Sequence, residues 1–474
     1  MPGKGGYCGC SYIQFLMAQP QQQPNVVLIH CHDLGKYVGC YGAAVDTPRI
    51  DAFAADGVRF DRHFVTAPQC SPSRSSLMTG RHPHQNGMLG LAHAGWEIDE
   101  DEQLLPELLG AAGYETHLFG LQHITEYPDR LGYDRIHSEN SLTTDGPPSV
   151  HESARAREVA DDFADTLAAG DLETPFFASI GFFEVHRMEE ADGFGFADDR
   201  YDTPDPDDVD PLAFLPDDPG IRSDISQIQG MVGAIDDGVG SVLDALEDAG
   251  LTDETLVVFT TEHGLAMPRA KGTCFDPGIE AAFAVRYPDG FDGGRVEDAL
   301  VSNVDVFATL LEIADAPQPE KEIAGESFAS LLFEDGTYEP RDRIFAGMTW
   351  HDRYNPVRAI RTDRWKYIRN FWNLPDVYLT NDIYCSDAGR EVRDEFYDEQ
   401  RSHEELYDLE NDPLERENLI ADDGSDDPAV AEVHERLRRE LGDWMAATGD
   451  PLLEEPVLPN DVDDAHPWTE DGRR

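Results

Sequence analysis

The chain has 474 residues, with 95 Asp and Glu against 36 Lys and Arg, a formal net charge of -59. That length exceeds what one core holds, since cores stop growing at roughly 250–300 residues, so a large domain with a smaller companion is expected. The charge excludes nucleic acid as a partner, because no basic stripe exists to displace phosphate counterions.

Acids are spread over nearly every helical segment while only five lysines occur (Lys4, Lys36, Lys271, Lys321 and Lys366), which reads as a solvated, halophilic surface. An anionic ligand is not repelled by it in concentrated salt, where the Debye length is about 3 Å at 1 M. Residues 1–23 are rich in Gly and Gln and are expected to form a disordered tail. The apolar patch at 12–18 stands behind a single Lys4 and makes no secretory signal, so a cytoplasmic location is expected. No apolar run reaches the roughly 18 residues of a membrane span. Seven scattered cysteines (8, 10, 31, 40, 70, 274 and 385) form no disulfide framework.

The first strand is predicted at 25–29, a continuous apolar run of the kind buried in parallel sheets. Strands follow at 115–119, 175–183, 255–261 and 281–287, interleaved with helices near 48–56, 103–112, 152–168, 225–248 and 303–314. This alternation predicts a doubly wound α/β sheet. The stretch between 196 and 220 is dense in Asp and Pro and is expected to be a surface excursion or lid. After about 340 the pattern changes to an alternating strand pair over 358–370 and a closing helix near 429–447. The expected organisation is a tail, 1–23, a catalytic domain, 24–340, and a smaller C-terminal α+β subdomain, 341–474.

Ligands of open α/β sheets bind beyond the carboxyl ends of the strands. There the chain carries His30, Cys31, His32 and Asp33 after the first strand, and Gln122 and His123 after the second. Glu184, His186 and Arg187 follow the third, and Glu262 and His263 the fourth. One histidine after one strand is ordinarily a surface residue; four strand ends together suit a metal or an acid–base step. The run Cys70-Ser71-Pro72-Ser73-Arg74 has Pro72 for a first helical turn and Ser71 for its cap, which puts Cys70 before a helix N-terminus. By itself the pattern is open between a thiolate nucleophile, a metal ligand and an inert cysteine.

Cys70-x-Pro72-x-Arg74 followed by Leu77-Met78-Thr79-Gly80-Arg81 resembles the signature of the sulfatase family, within the alkaline phosphatase-like superfamily. Asp46-Thr47-Pro48, Gly57-Val58-Arg59-Phe60 and Glu405-Leu406-Tyr407-Asp408-Leu409 extend the likeness. His84-Gln85-Asn86-Gly87-Met88 and the ending from Trp444 to Asp450-Pro451 are most similar to heparan N-sulfatase (sulfamidase)-like members. The resemblance implies an alkaline phosphatase-like mixed sheet and hydrolysis of sulfate esters or sulfamates. It also implies a formylglycine made from Cys70 by a formylglycine-generating enzyme. One hydroxyl of the hydrated aldehyde attacks sulfur and displaces the alcohol or amine; loss of the other's proton re-forms the aldehyde and frees sulfate.

By position, the resemblance makes Arg74 the residue that holds the formylglycine. It makes His123 an aid to elimination, His186 a sulfate contact and acid, and Lys271 a sulfate-binding cation. The metal would lie among His32, Asp33, Cys70, Glu262 and His263. The family pattern has carboxylates and an amide for calcium, whereas His32 and His263 suit a transition metal. Leu121 stands where sulfamidase-like sequences carry lysine. The expected substrate is a small sulfated anion, such as a sulfated sugar, with Trp350, His351 and Arg353 as candidate pocket residues. The alternatives are a phosphate or phosphonate monoester hydrolase of the same superfamily and a catalytically impaired binding homologue.

Overall fold

The computed structural model describes residues 23–137, 154–190, 193–196, 200–334, 338–420 and 424–458. The expected tail, with Cys8 and Cys10, lies outside them except for Gln23, which donates to the Ala314 carbonyl at 2.6 Å.

Among the described residues the main sheet has eight strands. In spatial order they are Arg295–Glu297, Val58–Phe60, Phe283–Arg286, Thr255–Thr261, Asn25–Cys31, Phe176–Phe182, Glu115–Gly120 and Arg135–Ile136. The strand Asn25–Cys31 is parallel to both of its neighbours, whereas Phe283–Arg286 runs antiparallel to Thr255–Thr261, which makes the sheet mixed. All seven residues of Asn25–Cys31 are buried because the sheet is covered on both faces. Alternation sends Val27 and Ile29 to one core, with Phe53, Phe163 and Ile235 of the helices Pro48–Asp56, Ala156–Ala169 and Pro219–Asp248. Val26 and Leu28 enter the other core, with Leu77, Leu105 and Phe307 of the helices Cys70–Thr79, Leu105–Ala111 and Asn303–Ile313.

A second sheet of four antiparallel strands, Arg343–Trp350, Tyr354–Thr362, Trp365–Asn370 and Glu404–Asp408, follows in the chain. The helix Pro428–Ala447 packs Leu437, Leu441 and Met445 against Ile360, Tyr367 and Leu406 of that sheet. No helix among the described residues is long and apolar enough to cross a membrane.

Two expected boundaries move. The first strand runs two residues further, so His30 and Cys31 belong to it rather than to the rim. The helix Cys70–Thr79 starts at Cys70, with Gln69 and not Ser71 at its N-cap; the Ser71 hydroxyl instead accepts the Ala92 N–H at 3.0 Å. Part of the Asp- and Pro-rich stretch is also helical, because the long helix begins at Pro219.

Candidate active site

The helix Cys70–Thr79 has every residue buried, so its N-terminus and the Cys70 thiol face the interior at the carboxyl ends of the strands. Burial pushes the thiol up to about 12, with Glu262 adding to the effect and Lys271 opposing it. One helical turn on, Arg74 is ion-paired with Glu262 Oε2 and lies 2.6 Å from Nδ1 of His30. The absence of a side chain at Gly181 makes room for this: a Cβ there would stand 1.9 Å from the Leu121 carbonyl and 2.6 Å from the His30 ring.

Around Cys70 the charges are balanced. Lys271 Nζ lies 2.9 Å from Asp33 Oδ2 and 3.0 Å from Asp382 Oδ2. Burial alone would raise the Asp33 carboxyl, but Lys271 and His263 hold it far below the ordinary range. Lys271 is correspondingly raised, because the two carboxylates outweigh its desolvation. His263 Nδ1 faces the Gly264 carbonyl at 2.9 Å, while its Nε2 lies 3.1 Å from Asp33, 3.2 Å from Glu262 and 3.4 Å from Cys70 Sγ. Burial would lower its pKa, but the charge of Glu262 and the contact with Asp33 raise it well above the usual value.

His32 behaves differently. Its Nδ1 lies 2.5 Å from Glu262 Oε1, its Nε2 is buried without a hydrogen-bond partner, and burial lowers its pKa. Its ring centroid lies 5.3 Å from that of His123 and 5.0 Å from that of His186. Burial and then Lys271 push His186 down to about 3. His123 is buried too, and its Nε2 lies 3.2 Å from His93 Nδ1.

Asp33 and His123 both have positive φ, 45° and 50°. Side chains held there cost of order 1–3 kcal/mol each and concentrate at working sites.

All nine expected site residues therefore meet at one point: Cys70, Arg74, His123, His186, Lys271, His32, Asp33, Glu262 and His263. Other strand-end candidates do not. Glu184 accepts the Ala156 N–H at 2.9 Å and the Tyr201 hydroxyl at 2.9 Å, Arg187 pairs with Asp224 at 2.7 Å, and Gln122 closes its own turn on Thr125. Leu121 packs in an apolar cluster with Ala154 and Phe183. Two members were missed in the sequence. Asp382 comes from the short helix Asn381–Tyr384, far along the chain from any strand end of the main sheet, and His93 from the turn Ala92–Ala94; neither carries a local signal.

Donor atoms of His32, Cys70 and His123 lie within 4.8 Å of one another, as do those of His32, Asp33, Cys70 and Glu262. Calcium takes six to eight oxygens. Here the only carboxylates of these sets, Asp33 and Glu262, already face Lys271, His263, Arg74 and His32, and the remaining donors are nitrogen and sulfur. The cluster does not fit calcium.

Residues 24–316 match the family model described as Sulfatase, and residues 262–387 that described as N-sulphoglucosamine sulphohydrolase, C-terminal. Human N-sulphoglucosamine sulphohydrolase is 29% identical, over 92% of this chain and 94% of its own length. A Bacteroides thetaiotaomicron protein described as a sulfatase has a similar fold, with TM-score 0.69 and 22% identity over 92% of this chain and 95% of that one. So does the phosphonate monoester hydrolase of Agrobacterium radiobacter, with TM-score 0.66 and 21% identity over 91% and 97%.

Proposed function

The chain belongs to the sulfatase family of sulfuric ester hydrolases, and we propose that it desulfates a sulfated or N-sulfated sugar through a formylglycine made from Cys70. The observation that carries this is the meeting of Cys70 at a buried helix start with Lys271, Arg74 and three imidazoles. A formylglycine at 70 supplies a geminal diol, one hydroxyl to attack sulfur and one to expel sulfate. The rest is assigned to the chain's own side chains.

Lys271 and the helix N-terminus offer positive charge to the sulfate oxygens, where charge grows as sulfur is attacked. Arg74, fixed by Glu262 and His30, holds the side chain at 70 in place. His186 borders the site, is less buried than its neighbours and delivers a proton to the departing oxygen or nitrogen. Its depressed pKa makes it neutral in the free protein, so a bound sulfate must raise it before it acts as an acid. His123, buried with its ring centroid 5.3 Å from that of His32, lines the site at position 70. The conversion of Cys70 calls for a formylglycine-generating enzyme as partner.

A sugar is supported by the rim. The turn between Arg343–Trp350 and Tyr354–Thr362 carries His351, which after Lys271 contributes to holding down the carboxyl of Asp382. Ring centroids run from Trp350 to Tyr354 at 5.1 Å and on to Trp372 at 5.5 Å, and Trp372 is 49% exposed. Such faces stack on the apolar side of a pyranose, and the exposed Arg353 adds a cation. The division into a catalytic part, 24–340, and a C-terminal part, 341–474, is supported by the change of sheet at Arg343.

The test compares kcat/KM for N-sulfoglucosamine, an aryl sulfate and a phosphonate monoester in concentrated salt, where the acidic surface is screened. Sulfated substrates are expected to lead, and Trp372→Ala to raise KM for the sugar about two- to tenfold while sparing the aryl sulfate, from an aromatic contact of about 0.5–1.5 kcal/mol. Preference for the phosphonate would overturn the reading.

A further inference from the structure

The metal position departs furthest from an oxygen cage at His32. Its Nδ1 contacts Glu262 Oε1 at 2.5 Å, and the other oxygen of Glu262 is held by Arg74. Nδ1 therefore carries the proton, and the lone pair is on Nε2, the buried atom with no partner. A carboxylate behind one nitrogen of a histidine, with the other nitrogen bare, is how proteins orient a metal-binding imidazole. The donors that share the space with His32 are Cys70 and His123, within 4.8 Å of it and of each other.

His263 has no such lone pair to offer. Its Nδ1 faces a carbonyl and its Nε2 faces two carboxylates, so both nitrogens are already engaged. Glu262 has both oxygens committed, and Asp33 faces Lys271 with one oxygen and His263 with the other. A divalent ion entering here meets two nitrogens and the atom at position 70 before it meets a free carboxylate.

We propose that this chain binds a first-row transition ion of the zinc class through His32 Nε2, His123 and the side chain at 70, with Glu262 as the outer carboxylate that orients His32. Three protein ligands leave one coordination position open, as in catalytic rather than structural zinc sites. Imidazole and sulfur donors select zinc, cobalt or copper over calcium. Position 70 supplies sulfur while it is cysteine and oxygen once it is formylglycine; only that last point rests on the sulfatase reading.

The experiment uses full-length protein produced without the converting enzyme, so that Cys70 stays a thiol. The metal-free chain is titrated with Co(II) in concentrated potassium chloride and followed by absorbance. The expected result is one equivalent of cobalt, with visible bands of a four-coordinate ion and a sulfur-to-cobalt charge-transfer band in the near ultraviolet. Excess zinc should bleach both, and excess calcium neither. Cys70→Ala should lose the charge-transfer band, shift the visible bands and bind cobalt more weakly. Glu262→Gln should keep the band shapes while binding cobalt about 10- to 100-fold more weakly. Displacement by calcium, bands that survive His32→Ala, or no bands in the wild-type chain would each overturn the proposal. The wild-type titration decides it even if a variant does not fold. Because no turnover is measured, failure here leaves the sulfatase reading standing, and failure of that reading leaves this one.

Discussion

Lys271 and Lys366 are both buried between two carboxylates, one at the rim of the main sheet and the other in the joint between the sheets. Lys271 lies between Asp33 and Asp382 at 2.9 and 3.0 Å; Lys366 lies between Asp276 and Glu415 at 2.5 and 2.7 Å. Four residues of chain separate Lys271 from Asp276, so one segment is gripped at both ends. At one end Asp382 reaches in from beyond the second sheet's third strand; at the other, Lys366 and Arg361 of that sheet hold Asp276. The two networks share their chemistry and differ in what they face. Lys271 borders Cys70 and the imidazoles, whereas Lys366 sees only protein that closes over it.

The difference predicts opposite consequences for the same substitution. Lys271→Met should cost about 10²–10³ in kcat/KM, the scale of losing one donor to a developing charge, measured on folded protein with a sulfated substrate. Lys366→Met should leave the kcat/KM of the folded fraction intact and cost about 3–5 kcal/mol of stability, since it strands buried carboxylates; denaturant unfolding measures it. If both variants lost activity alike, the joint would belong to the site.

A smaller effect separates the networks by pH. Burial raises the Glu415 carboxyl to about 7 despite Lys366 beside it, while Asp33 and Asp382 are held below the ordinary carboxylate range. A raised carboxyl keeps its proton in the folded state after the unfolded chain has lost it. Its contribution to stability therefore declines as pH rises from about 4.3 to 7 and is flat above. The depressed carboxylates do the reverse: their stabilisation is present above about pH 4 and is lost as pH falls. Between pH 5 and 7 the Glu415 term acts without them. Glu415→Gln should remove the part of the pH slope that falls in that window, read from unfolding midpoints of the two chains; an unchanged slope would place the titration elsewhere.

The sequence was most legible where structure is local. The strand 255–261 and the helix 48–56 were read to the residue, because an unbroken apolar run and a Thr-Pro start mark their own limits. The strand-end rule found His32, Asp33, His123, His186, Glu262 and His263, since a parallel sheet brings strand ends together whatever the loops do. It also nominated Glu184 and Arg187, which turn back to a helix N-terminus and to Asp224; position after a strand does not say which way a side chain points. Asp382 and His93 were invisible because each reaches the site through a fold-level contact and not through a motif. The contacts of His263, with Asp33 and Glu262 at one nitrogen and the Gly264 carbonyl at the other, likewise exist only once two strand ends are brought together.

The central claim is that residue 70 is the nucleophile after conversion, and mass spectrometry of the peptide spanning Cys70, taken from protein of the native host, tests it most directly. A formylglycine at 70, seen as aldehyde or hydrate and trapped by an amine reagent, is the predicted result. A free thiol that alkylates in full, in protein that still hydrolyses a sulfated substrate, would contradict it.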